Sequence, residues 1–293
     1  MAYLGEFSAI LTALCWALSI FYFRQLCNNF SPLSLNLWKG VIAIFGLIMS
    51  IAFSHTSFFS SQHDVLWLLL SGAIGIGIGD SAFFAALNRM CERTTLLLTE
   101  TLAPIFTAAL AIVWLAEWLS AYQWLAIAII LLGVDLVIRS RKGKKRSMDI
   151  SWSGFNFAAL AALCQAVGAV IGRDVLIHSD IDIKTASLYR LLGGVLLVMV
   201  LLISTRKKWL PQEYKQVHLW KTLFKATLIG TLIAMVLQTF SFQHAPAAIV
   251  QVLFASSILF SLLLAKLRGQ VIARTALYGS AIAMFGVSLI FLK

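Results

Sequence analysis

The sequence predicts an all-α membrane protein with ten transmembrane helices in two inverted five-helix repeats. Three observations lead there: the composition, a succession of apolar runs of span length, and an internal duplication. Of 293 residues, 60% are hydrophobic and only 12% charged, about half the roughly 25% charge of a soluble domain. A helix needs about 20 mostly apolar residues to cross roughly 30 Å of hydrocarbon, so the chain holds around ten spans and no separate soluble domain.

In order, the spans are expected at 4–26, 33–53, 65–88, 94–115, 121–138, 153–173, 185–204, 222–243, 246–265 and 273–292. They are continuous apolar runs rather than short alternations facing a polar lumen, which excludes strand-type spans. The first follows Met1-Ala-Tyr-Leu-Gly-Glu6, which lacks the basic region of a cleaved signal peptide and reads as a retained helix. The second has Lys39 near its start. The third carries Gly75, Gly77, Gly79 and Asp80, and the fourth Glu100 and Pro104. The fifth ends at the basic cluster Arg139 to Arg146, which reads as a cytoplasmic linker over 139–151 between repeats at 1–138 and 152–293. The sixth to tenth repeat the plan. Ahead of the eighth, the basic and aromatic stretch Arg206 to Lys225, with Trp209, Tyr214, His218 and Trp220, reads as an interfacial segment against acidic lipid.

The net charge of +11 invites a nucleic-acid reading, but the basic residues lie in short loops rather than on one folded face, so nucleic acid is not expected. Apart from Arg173, Lys184, Arg190 and Lys293, all 23 Lys and Arg residues fall in or beside the odd-numbered loops. The positive-inside rule makes those loops cytoplasmic and puts both termini outside, in an inner (plasma) membrane. The four cysteines, Cys15, Cys27, Cys91 and Cys164, have neither CxxC nor metal-ligand spacing and read as packing residues. No metal, cofactor or catalytic residue is expected.

Leu11-Thr-Ala-Leu-Cys-Trp-Ala17 with Arg24 reappears as Leu160-Ala-Ala-Leu-Cys-Gln-Ala166 with Arg173. Leu37-Trp-Lys39 matches Leu188-Tyr-Arg190, and Ala116-Glu117 with Ala126 matches Gly269-Gln270 with Gly279. Five spans is an odd number, so the second copy enters the membrane inverted, which lets a site between the halves face either side in turn. The chain resembles the EamA-like branch of the drug/metabolite transporter superfamily over nearly its whole length. The resemblance rests on Lys39, Gly79-Asp80 with Phe83, Phe84 and Ala86-Leu87, Leu102-Ala-Pro104, Glu117, Ser120 and Gly133. The second half departs from this pattern, with Ser257 in the place of Pro104, Gln270 of Glu117 and Ile233 of Asp80. The resemblance implies ten helices, alternating access, and export or exchange of small metabolites. Because one chain holds both halves, whereas four- and five-helix relatives dimerise, a functional monomer is expected.

An ionised group at the bilayer centre costs about 3 kcal/mol or more, so intramembrane acids mark a pathway or are paired. Asp80 and Glu100 sit at similar depth on consecutive antiparallel helices and can face one another, an arrangement that suits proton coupling. Alternatively, Asp80 bonds backbone loosened by the nearby glycines, or either acid pairs with Arg89 or Arg93. From Lys215 to Lys293 there is no acid, so any coupling acid lies in the first half. Pro104 can kink the fourth helix, and the stripe Glu100, Pro104, Thr107, Ala111 is a cavity wall or a close helix contact. Trp16 and Gln165 occupy equivalent places on opposite walls of a central cavity. Ser19, Gln238, Gln251 and Ser257 complete the uncharged polar set, with interhelical bonding as the plainer role. Lys39 and Arg190 either draw anionic groups into the cavity mouths or snorkel to the headgroups.

Gly77-Ile-Gly-Asp80 also resembles the Gly-x-Gly-Asp motif of intramembrane aspartyl proteases, but their Tyr-Asp and Pro-Ala-Leu motifs are missing, and Asp135 lies in the wrong order. The glycines lack the strand and acid of a dinucleotide loop and suit close packing through Gly75-xxx-Gly79. An uncoupled facilitator, a carrier of phosphorylated or sugar-linked metabolites, and a non-transporting receptor are the remaining alternatives. Few cavity cations are available for a phosphate, which favours uncharged or zwitterionic cargo such as amino acids.

Overall fold

The computed structural model describes residues 3–54, 60–90, 92–140, 151–211, 213–267 and 273–291. Most of the linker cluster, Cys91, Arg268 and Gln270 lie outside these residues, as does the side chain of Arg93.

All regular structure among the described residues is helical. The first half comprises α1 (Leu4–Leu26), α2 (Pro32–Ser54), α3 (Gln62–Arg89), α4 (Glu92–Leu115) and α5 (Ala121–Ser140). The second comprises α6 (Trp152–His178), α7 (Ile183–Ser204), α8 (Val217–His244), α9 in two pieces (Ala247–Phe254 and Ser257–Leu267) and α10 (Arg274–Phe291). Among the described residues, eight of these are long and apolar enough to cross a membrane. The apolar stretches of α5 and α10, Ala121–Val137 and Arg274–Ile290, are shorter.

Helix starts follow local chemistry. Ser61 and Ser151 side chains accept the amides of Asp64 and Gly154, and Asp182 accepts those of Lys184 and Thr185, filling donors that a helix's first turn leaves open. The outer faces are apolar: Phe53 is 84% exposed and Val113 86%, which is stable only with hydrocarbon as the solvent.

The contacts between halves are reciprocal. α1 packs on α8 as α6 packs on α3; α4 packs on α6 as α9 packs on α1; α2 meets α7, and α5 meets α10. Such an exchange of partners is what two-fold-related copies produce, so the repeat seen in sequence is also a repeat in space. Two crossings are close enough to need glycine. A Cβ on Gly193 of α7 would stand 2.0 Å from the Leu69 carbonyl oxygen, and one on Gly72 of α3 would stand 1.7 Å from that of Arg190. Gly133 and Gly279 likewise put α5 against α10 backbone to backbone, as small residues permit in lipid. Gly75 and Gly79 both face α6, at Gly168 and Cys164.

The second half departs from expectation at one joint. α4 runs through Pro104 as a single helix, whereas α9, which has Ser257 in the equivalent place, is interrupted just before it. The stripe Glu100, Pro104, Thr107, Ala111 is buried, on a helix that packs on α6 and α9.

Candidate functional site

A cavity of about 160 Å³ lies between the halves, lined by α1 to α4 of the first and α6 to α9 of the second. For scale, a cavity of roughly 150 Å³ engineered into another protein admits benzene. α5 and α10 contribute nothing to it. Asp135, the second aspartate that a protease reading would need, lies on α5 and so away from Asp80.

Its wall is shaped by two irregular segments at matching places in the repeats. In α3 the backbone is π-helical over Ala73–Asp80, and in α8 over Leu228–Ile233; the two segments end on the repeat mates Asp80 and Ile233. A π-turn widens the helix and weakens its own hydrogen bonding, and such turns recur at functional sites. In α3, glycines at 75, 77 and 79 make the distortion cheap. The Asn36 amide of α2 supports it, donating to the carbonyls of Ile76 (2.7 Å) and Gly77 (3.3 Å) and to Ser81 Oγ (2.9 Å). In the second half the mate of Asn36 is Ser187, which donates to Thr239 Oγ1 at 2.9 Å. Sequence reasoning missed Asn36: its neighbours give no motif, and only the folded π segment reveals its acceptors.

Four charged side chains line the cavity, three of them buried and Asp80 partly open. Lys39 of α2 is 6% exposed and its Nζ is ion-paired with Asp80 at the end of the π segment. The ammonium also stands 5.5 Å over the Phe84 ring. Arg190 of α7 is 3% exposed; its Nε donates to Ser71 Oγ of α3 at 3.1 Å, and Ser71 in turn donates to the Gly168 carbonyl of α6 at 2.6 Å. Both cations line the cavity, Lys39 held by Asp80 and Arg190 by Ser71. Glu100 of α4 is 6% exposed. The structure gives Asp80 to Lys39 rather than to Glu100, so the acids share the cavity without sharing a contact; Arg89 instead bonds the Ala85 carbonyl and lies over Phe157.

Trp16, Ser19, Gln165, Gln238 and Ser257 also line the cavity, with Trp16 and Gln165 coming from repeat-equivalent places on α1 and α6. Gln251 and Pro104 do not line it. Gln251 is fully buried within α9, with neither amide atom bonded: its polarity predicted cavity, but its face of the helix turns into the core.

One end of the molecule is tied between halves. Arg173, near the end of α6, bonds Glu117 after α4 and the Phe242 carbonyl near the end of α8; Glu117 Oε2 also accepts the Ala247 amide at the start of α9, at 3.0 Å. Arg24, the repeat mate of Arg173, bonds the Leu87 carbonyl of α3 within its own half, and its end of the repeat has Gln270 where Glu117 stands.

The family model described as the EamA-like transporter family matches residues 3–139 and again 152–292. A solved structure described as "Crystal structure of protein" superposes with a TM-score of 0.79 at 17% identity, covering 99% of this chain and 96% of that one; at that identity the likeness is one of fold. A comparison with curated proteins finds no match.

Proposed function

We propose, for a chain that belongs to the EamA-like transporter family, that it exports or exchanges small metabolites, amino acids or their analogues above all, by alternating access at the central cavity. The family consists of membrane transporters and not typically enzymes, and the chain is a multi-pass membrane protein with the family's two-repeat architecture. The observation that carries the proposal is the cavity itself: four helices from each half line it, and four charged side chains face it. Rocking one half against the other would expose such a site to each side in turn.

Proton coupling belongs to Glu100 on this reading. Asp80 is held by Lys39, whereas Glu100 Oε2 has no partner, and an unpaired carboxylate in the wall can carry a proton or a cation across. A doubly charged phosphate is a poor fit, because Lys39 is already paired and only Arg190 is left to balance it. The membrane is the inner (plasma) membrane, with both termini outside the cytoplasm as the loop charges direct, and the monomer is the working unit. In liposomes containing a pH dye and challenged with a panel of amino acids and related metabolites, the native protein is expected to move protons with substrate, Glu100→Gln to lose proton movement, and Asp80→Asn to keep it wherever it folds. Substrate flux without proton movement in the native protein would establish an uncoupled facilitator instead.

A further inference from the structure

We infer that the groove between α9 and α10 binds one phospholipid of net negative charge, with an acyl chain along the groove and the headgroup phosphate on Lys266. The site is separate from the central cavity and does not depend on what that cavity carries.

The groove follows from how α10 is held. Gly279 and Gly286 bring α10 against α5: a Cβ at Gly279 would stand 2.7 Å from the Gly133 carbonyl oxygen, and one at Gly286 would stand 2.9 Å from the Ile130 amide nitrogen. The second piece of α9 packs on α1 and α5. Among the described residues, α9 and α10 have no comparable packing on each other, although their mates α4 and α5 do. The space left open has a volume of about 560 Å³, within the range of small-molecule sites. Leu259 and Leu263 of α9 face Leu277, Ser280 and Met284 of α10 across it, stripes at helical spacing on both walls.

Three properties select the occupant. The walls are hydrocarbon in character: the hydroxyls of Ser280 and Ser288 donate back to the carbonyls of Ala276 and Phe285 in their own helix, each at 2.8 Å, so their donors are already used. The length suits one leaflet, because α9 rises about 15 Å between Ser256 and Lys266, half of a hydrocarbon core roughly 30 Å thick. The charge lies at one end only. Lys266, exposed in the last turn of α9, is the one charged residue among those that line the groove, and Arg274 opens α10 at the same end. No acid occurs from Lys215 to Lys293, and among the described residues no ion pair involves Lys266. A basic residue at the edge of the hydrocarbon attracts anionic headgroups. A zwitterionic headgroup would set a further cation beside Lys266 and Arg274, which an anionic one does not.

Native mass spectrometry of the whole protein in detergent, with phosphatidylglycerol and phosphatidylethanolamine of identical chains supplied in equal amounts, tests the assignment. One retained phospholipid per chain is expected, with phosphatidylglycerol favoured about fivefold, the effect of one lysine near a headgroup. This comparison needs no variant to fold. Lys266→Gln, a change at an exposed side chain, should remove the preference and keep the retention. Ser280→Phe fills the groove and should remove retention of both lipids. Lys207→Gln with Lys208→Gln, basic positions outside the groove, should change neither. Equal retention of the two lipids by the native protein, a preference that survives Lys266→Gln, or retention that survives Ser280→Phe would overturn the assignment. A dimer that Ser280→Phe converts to monomer would also overturn it, making the groove an interface between copies. None of these failures touches the transport reading.

Discussion

Lys39 and Asp80 present the sharpest energetic question at the residue scale. A buried pair adds little over two apolar residues of the same shape, but removing one member strands the other, at a cost of about 3–5 kcal/mol. The Asp80 side chain keeps 36% of its surface open to the cavity, which places the loss towards the lower end. Asp80→Asn should therefore lower the apparent melting temperature in detergent, and Lys39→Met combined with Asp80→Leu should restore most of it. A double variant no more stable than the single would mean that Lys39 is held by the cavity and not by Asp80. Asn36 offers a second contrast: Asn36→Leu removes two hydrogen bonds to the π segment and one to Ser81 just beyond it, and its expected signature is faster amide exchange at Ala73–Asp80 than elsewhere in α3.

Between elements, distances of closest approach govern. α3 and α7 cross where Gly193 meets the Leu69 carbonyl and Gly72 meets the Arg190 carbonyl. Neither approach tolerates a methyl group, since it would meet main-chain oxygen at 2.0 Å or less and not the yielding end of a side chain. Gly193→Ala should force α7 off α3, loosen the Ser71 bond to Arg190, and reduce both folded yield and transport. Gly75→Ala meets Gly168 Cα at an ordinary 3.4 Å and should be far milder. Ranking the two variants by yield on gel filtration tests the packing directly; equal yields would refute it.

The whole molecule is asymmetric about its pseudo-two-fold in one respect that bears on transport. Arg173 and Glu117 bind α4, α6, α8 and the start of α9 into one bundle, whereas the mate Arg24 stays within its half and Gln270 replaces the acid. The bonded end is the one that must part for the cavity to open on that side. Glu117→Gln weakens the tie without removing bulk. It should raise, several-fold, the rate at which a membrane-impermeant thiol reagent labels a Gln165→Cys probe from the Glu117 side, in a background with the native cysteines replaced. An unchanged rate would make the cluster a fixed brace.

Much of this protein was legible in its sequence, because a bilayer leaves few choices. Backbone groups in hydrocarbon must bond within their own segment, so apolar runs of span length can only be helices, and the expected spans agree with the observed helices to within a few residues over most of the chain. The duplication around Leu11 and Leu160 pointed to Trp16 and Gln165 as facing one central cavity from opposite walls, since equal register in two-fold-related copies places mates at equal depth, and both residues line the cavity. What a residue's helical face meets was not legible. Gln251 and Gln238 are equally polar in sequence, yet one is shut in the core and the other lines the cavity. Lys39 and Arg190 carry the same charge near the ends of their helices, yet one is ion-paired and the other leaves an atom free. Those outcomes depend on contacts between residues far apart in the chain, Lys39 with Asp80 and Ser71 with Arg190. Apolar periodicity sets which segments enter the membrane; only tertiary packing decides which buried charges find each other and which are left without a protein partner.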